Sequence, residues 1–199
     1  MTGDITDRNM LREYLAADLE ANFGNRRSCA YRYLKWHRIC RWLYLKQGAV
    51  PRLTLKLANL RRRHFGDKYG FDFRYDSPLG KGCHISHNIG VINMARSCGE
   101  NLIFRNFVTI GVTNTSEKGP IIGDNVQFGT GCKVIGDVRV GNNVLIGANA
   151  VVISDVPDNS VVAGVPARVI RKTKDRWGTP MDEDPQPADG QSSKGSGLA

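Results

Sequence analysis

A constant interval of six residues dominates the middle of this chain: Ile122, Phe128, Val134, Val140, Ile146 and Val152 each stand six apart. A helix repeats near 3.6 and an ordinary strand alternates at two, so neither gives this spacing. A second column of smaller residues follows four places behind, through Val126, Cys132, Val138, Val144, Ala150 and Val156, while Gly123, Gly129, Gly141 and Gly147 stand directly after four of the bulky positions. Hexads of this kind build a parallel β-helix. Each supplies one short strand and a bend, so three close a triangular coil, and each bulky side chain stacks on its counterpart about 4.8 Å away in the next coil. Small residues and Gly suit the corners.

The register runs backwards through Ile110, Phe104, Cys98 and Ile92 and then stutters, because Ile85 precedes Ile92 by seven. One surplus residue is therefore expected to bulge near His87, and bulges re-aim side chains beside active sites. Residues 112–121 also leave the pattern. The hexad due at Ser116 has no apolar anchor, and Asn114, Ser116, Gly119 and Pro120 are turn formers, so this edge is expected to run out into solvent.

With 199 residues and 41% hydrophobic content, one modest globular domain with appendages is expected. No apolar run reaches membrane-spanning length. The opening MTGDITDRNM is polar and acidic, unlike a secretory signal, which predicts a cytoplasmic protein. Five Cys is an odd number, and Cys98 and Cys132 fall on coil positions, where a reduced thiol serves as a small hydrophobe.

Charge is unevenly spread. Residues 1–70 hold fifteen Lys plus Arg against six Asp plus Glu, a balance of +9, whereas residues 71–199 hold thirteen of each. In the basic third, Cys29, Tyr33, Trp36, Cys40 and Leu43 share one helical face, flanked by Arg32, Lys35, Arg38 and Arg41. Pro51 reads as a helix breaker, and Leu53 to His64 predicts a second helix ending in Arg61, Arg62 and Arg63. The expected organisation is a basic helical region over residues 1–70, a coil domain over 71–172 and a disordered tail over 173–199, where Asp, Pro, Gly and Ser prevail. Basic side chains are expected to solvate the outer face of a helix packed on its own domain or on a sister subunit. Contact with an anionic membrane surface is the second reading. Nucleic acid is not expected, since neither an aromatic-interleaved RNA motif nor a helix-turn-helix accompanies the charge.

The stretches Phe107-Val-Thr-Ile-Gly111, Ile121-Ile-Gly-Asp-Asn-Val126, Asp155-Val-Pro-Asp-Asn-Ser160 and Ala163-Gly-Val-Pro-Ala-Arg168 carry a resemblance. Over residues 70–172 the chain resembles the serine acetyltransferase-like hexapeptide acyltransferases, which include polysaccharide O-acetyltransferases of colanic acid and capsule assembly. The lead-in around Ala30-Tyr31-Arg32 is similar to that polysaccharide branch. The resemblance implies an all-β core wound as a left-handed parallel β-helix, acetyl-CoA as donor, and a homotrimer; whether trimers pair stays open.

It also implies roles. His87, two places after the anchor Ile85, matches the family's general base, and Asp72, fifteen residues earlier, matches the carboxylate that orients it. An alcohol attacks a thioester only when a base takes its proton, and a carboxylate on the far ring nitrogen would fix the tautomer. His84 is the fallback base. Backbone N–H groups near Gly111 would receive the oxyanion. Asn106 and Ser86 are candidates for contact with the acceptor, and Thr130 and Ala148, eighteen residues apart, match positions along the pantetheine arm. Arg171 matches a residue at the nucleotide end, with Arg168, Lys172 and Lys174 adding positive charge for phosphates.

Two departures bear on the acceptor. Serine acetyltransferases carry Asp directly before the catalytic His and an Arg-His pair before a Pro in the protruding loop; this chain has Ser86 and Lys118-Gly119 at those places. A sugar hydroxyl, on a nucleotide sugar or polysaccharide precursor, is therefore the preferred acceptor, with Lys118 placed to contact an anionic one. Serine O-acetylation for cysteine biosynthesis and N-acetylation of an amino-sugar are the alternatives. No metal centre is expected, because a hexapeptide zinc site needs three converging His and the coil region holds only His84 and His87.

Overall fold

The structure is a computed structural model and describes residues 4–46, 48–87, 89–114 and 118–174. The expected tail, from 175 onward, lies outside the described residues, as do residues 115–117 of the expected excursion. Three helices come first: α1 (Arg8–Ala21), α2 (Cys29–Tyr44) and α3 (Ala49–Tyr69). Asp7 caps α1 by accepting from the N–H groups of Asn9 and Met10, and Ser28 caps α2 at Tyr31. Pro51 does not break a helix. It sits in the first turn of α3, where a missing N–H costs nothing, so α3 runs longer than the expected Leu53 to His64.

Fourteen short strands follow among the described residues: β1 (Phe71–Phe73), β2 (His84–Ile85), β3 (Val91–Asn93), β4 (Ser97–Cys98), β5 (Ile103–Phe104), β6 (Val108–Gly111) and β7 (Ile121–Ile122). Then come β8 (Gln127–Phe128), β9 (Lys133–Ile135), β10 (Arg139–Val140), β11 (Leu145–Ile146), β12 (Val151–Val152), β13 (Ser160–Gly164) and β14 (Ala167–Lys172). They stack as three parallel faces, β1-β3-β6-β9-β12, β4-β7-β10 and β2-β5-β8-β11-β13, the last closed by antiparallel β14. This is the triangular coil that the six-residue interval predicts.

The interior is built from the expected columns. Ile85, Phe104, Phe128, Ile146 and Val162 pair coil over coil and are all buried. Phe104 and Phe128 stack at 4.8 Å between ring centroids, 6° from parallel, as identical strands demand. Asn101, Asn125, Asn143 and Asn159 turn one corner with φ between 54° and 57°, and their side-chain amides bond in a ladder at 3.2, 3.1 and 2.9 Å. Cys98 and Cys132 are buried as expected, and burial pushes both thiols up to about 12.

One anchor differs from the sequence reading. Ile92 is exposed, and Asn93 occupies the inward column, paired with Phe73 on one side and Ile110 on the other. From Ile85 to Asn93 the step is eight, so the His87 corner holds two surplus residues rather than one. Asn93 tolerates burial because its Oδ1 accepts from Ala95 N–H at 3.1 Å and its Nδ2 meets Cys98 Sγ at 3.4 Å.

The basic flank of α2 is only half solvated: Arg32 and Lys35 are exposed as expected, whereas Arg38 and Arg41 are buried. Arg38 is buried with Asp18 of α1, its Nε 2.8 Å from Oδ2, and the guanidinium donates to the carbonyls of Leu79 and Gly80 in the first coil. Asp18 Oδ1 accepts from Cys83 N–H at 3.0 Å, and Asn22 Nδ2 donates to Cys83 O at 2.9 Å. Arg41 pairs with Asp4 at 2.6 Å and donates to Asp76 O. The forks of Arg38 and Arg41 thus join helix to coil where the sequence predicts a wet surface.

His37, fully buried, donates Nε2–H to the carbonyl of Arg74 at 3.2 Å, and burial lowers its pKa from 6.5 to about 3. Folded His37 stays neutral while the unfolded imidazole takes a proton below pH 6.5, so its share of stability is complete above that value and lost as pH falls toward 3. Urea midpoints are expected to drop between pH 7 and 4.5, with a slope of up to about 1.4 kcal/mol per pH unit from this group. A slope of the same size in His37→Gln would assign it elsewhere.

Candidate active site

Ile85 is the buried anchor of β2, and the backbone beyond it is held to the next coil by Ser86 N–H donating to Phe104 O at 2.8 Å. The two surplus residues then force the chain around, and His87 turns with φ 64°. A left-handed conformation is uncommon outside Gly and Asn. At the corresponding corner of later coils the left-handed residue is Phe107, Gly131 or Asn149, three places after its anchor, whereas His87 stands two after. The surplus therefore lifts an imidazole onto the rim, and the side chain is exposed.

His87 borders a cleft of about 370 Å³ lined by Asn22, Phe23, Asn25, Ser28, Ala30, His84, Ile85 and Ser86. One wall is the coil. The other is the turn between α1 and α2, fixed in place by the Asp18, Arg38 and Asn22 bonds to the first coil. Phe23 is 86% exposed, holds φ 60°, and meets the ring of His84 edge-on at 5.3 Å. His84 Nε2 shares a hydrogen bond of 2.8 Å with Ser86 Oγ. Among the described residues no carboxylate and no Lys or Arg side chain lines this cleft.

Above His87, the same edge of the coil carries Asn106, Thr130 and Ala148 in order. Thr130 Oγ1 donates to Asn106 Oδ1 at 3.0 Å, Gly131 N–H donates to Asn106 O at 2.9 Å, and Asn149 N–H donates to Thr130 O at 2.8 Å. The expected column exists as one continuous edge parallel to the coil axis. A Cβ on Gly129 would stand 2.6 Å from Ile146 O and Ala148 N, so only Gly lets these two coils close at that point. At the far end of the face that begins with β2, the β13–β14 hairpin presents Arg168 and Arg171 to solvent, while Lys172 Nζ bonds Ser160 Oγ at 3.2 Å. Five strand steps of about 4.8 Å separate the first strand of that face from the last, roughly 24 Å.

Other expected residues lie apart. Asp72, in β1, faces Arg62 at 3.7 Å and lines a separate hollow against α3 with Asn59, Arg63, Asp67 and Ile92. Among the described residues the cleft at His87 and the hollow at Asp72 have separate linings, and the orienting role rests on the resemblance alone. Gly111 ends β6, at the opposite edge of its face from the His87 corner. Lys118 is exposed beyond the undescribed residues. The sequence reading missed Asn22, Phe23, Asn25 and Ser28. Their one signal is an aromatic beside Gly24 in a polar interhelical turn.

Residues 119–154 match the bacterial transferase hexapeptide family, six repeats. The chain is 34% identical to the serine acetyltransferase of Synechococcus elongatus over 161 residues, which is 79% of this chain and 63% of that one. It is 36% identical to that of Staphylococcus aureus Mu50 over 118 residues, 57% of this chain and 54% of the relative. The chain thus spans between half and two thirds of these curated relatives. Among solved structures, Neisseria gonorrhoeae serine acetyltransferase in complex with serine superposes with a TM-score of 0.67 at 29% identity, covering 80% of this chain and 69% of that one. Brucella abortus serine acetyltransferase in complex with coenzyme A gives 0.68 at 25% identity, covering 84% and 70%.

Proposed function

We propose that this chain is an acetyl-CoA-dependent O-acetyltransferase in which His87 acts as general base. The observation that carries the reading is the imidazole on the rim of a cleft at one end of the Asn106–Thr130–Ala148 edge, with arginines on the terminal hairpin at the other. That span is on the scale of an extended pantetheine arm, and a relative of this fold holds coenzyme A. The acceptor oxygen attacks the thioester carbonyl while its proton passes to His87; the C–S bond then breaks, and the leaving thiolate recovers the proton from the imidazolium. Left-handed winding and assembly as a homotrimer follow the same similarity.

Serine is the acceptor that the relatives support best, since those compared are serine acetyltransferases and one holds serine. A sugar hydroxyl is the second reading, and the composition of the cleft favours it. Asn22, Asn25, Ser28, Ser86 and the open face of Phe23 suit a neutral polyol, whereas a free amino acid needs partners for an ammonium and a carboxylate. Release of CoA with serine, nucleotide sugars and capsule-type oligosaccharides decides between them. Serine turnover at least tenfold above every sugar establishes the first reading, the reverse establishes the second, and an acetyl product stable to mild base points to an amine acceptor. No CoA release with any hydroxyl or amine, in protein that binds CoA, overturns the enzymatic reading.

A further inference from the structure

We infer that the outer face of α3 is a docking surface for an anionic lipid bilayer. The helix buries Ala58, Arg62, Phe65 and Gly66 against the body of the protein. On its other side Val50, Leu53, Leu57 and Leu60 are 74, 64, 61 and 67% exposed. Their spacing of three, four and three places them on one stripe. A run of large aliphatic side chains along one exposed helical face marks an interaction surface rather than the scattered apolar residues that any surface carries.

Charge identifies the occupant. α3 holds six Lys or Arg against one Asp, a balance of +5, and the exposed Arg52, Lys56, Arg61, Arg63 and Lys68 border the stripe on both sides. Among the described residues no salt bridge engages Arg52, Lys56, Arg61 or Arg63. A second copy of the same face would bring +5 against +5, which disfavours a symmetric pairing through α3. A negatively charged bilayer satisfies both features at once: the four aliphatic side chains enter between headgroups while the flanking cations meet phosphates. With 21 residues α3 is about 31 Å long, enough to lie along such a surface. No helix among the described residues is long and apolar enough to cross a membrane, so the contact is one of lying on the surface.

The test is sedimentation of the full chain with extruded vesicles of phosphatidylcholine alone and of phosphatidylcholine with a quarter phosphatidylglycerol, alongside measurement of mass in solution. Binding to the anionic vesicles, weakened by salt, is expected. Leu53→Ser with Leu57→Ser, and separately Lys56→Glu with Arg61→Glu, are each expected to lower the partition coefficient at least tenfold, with melting curves by circular dichroism showing that both variants are folded. Absence of binding to anionic vesicles at low salt overturns the inference, as does binding that neither variant weakens. A smaller assembly in the Leu variant with unchanged lipid binding also overturns it, assigning the stripe to contact between copies.

Discussion

Replacing His87 with Ala is expected to lower acetyl transfer by roughly 10²- to 10⁴-fold, or about 3–5 kcal/mol of barrier, while leaving CoA affinity within a factor of two or so. The split follows from the geometry. The edge offered for the pantetheine arm is built from Asn106, Thr130 and Ala148 and their backbone, which belong to later coils and do not depend on the imidazole. His84 supplies the control. Its Nε2 already shares a bond with Ser86 Oγ, so His84→Ala should alter the cleft wall and raise KM for the acceptor more than it lowers turnover. If His84→Ala abolishes turnover and His87→Ala does not, the base has been assigned to the wrong ring. A loss confined to KM in both variants would remove the general-base role altogether.

Arg38→Ala is expected to destabilise the chain by about 3–5 kcal/mol, read as a fall in urea midpoint at pH 7. The size follows from what remains: Asp18 stays buried with its carboxylate uncompensated, and the carbonyls of Leu79 and Gly80 lose donors. Asp18→Leu combined with Arg38→Met should regain part of the loss, because the stranded charge is gone, but not all of it, since Cys83 N–H and two carbonyls still lack partners. Full stability in the single variant would mean that the pair is not buried in solution. The same variant probes the candidate site. Arg38 and Asp18 fasten the interhelical turn to the strand that carries His84, so cleft and fold should weaken together.

The coil was legible because its signal repeats: a column such as Phe104, Phe128 and Ile146 is visible in the sequence once the interval is recognised, and the stutter toward His87 marks the irregular corner. Asn93 was not legible, because a buried polar anchor looks like a turn residue until Ala95 and Cys98 are seen around it. The fate of Arg38 and Arg41 depends on Asp18 and Asp4, which lie 20 and 37 residues away and which no local periodicity links to them. The second wall of the cleft was hidden for the same reason. Asn22 to Ser28 reads as a polar connection between helices, and only the folding of α1 back onto the first coil turns it toward His87. Asp72 is a different case: the fifteen-residue spacing aligns it with His87 in the sequence, whereas in the fold its described neighbour is Arg62, 3.7 Å away beside α3, so its part at the site stays an expectation from the resemblance.

An unfinished stack of parallel strands is adhesive at both ends, for every terminal strand offers free N–H and C=O groups to a newcomer. Here β14 reverses direction and lies antiparallel on β13. A further coil arriving in the winding sense of the others finds that edge already taken, so the reversal acts as a stopper against fibre-like elongation, and shearing the hairpin away should be the quickest route from a discrete particle to a filament.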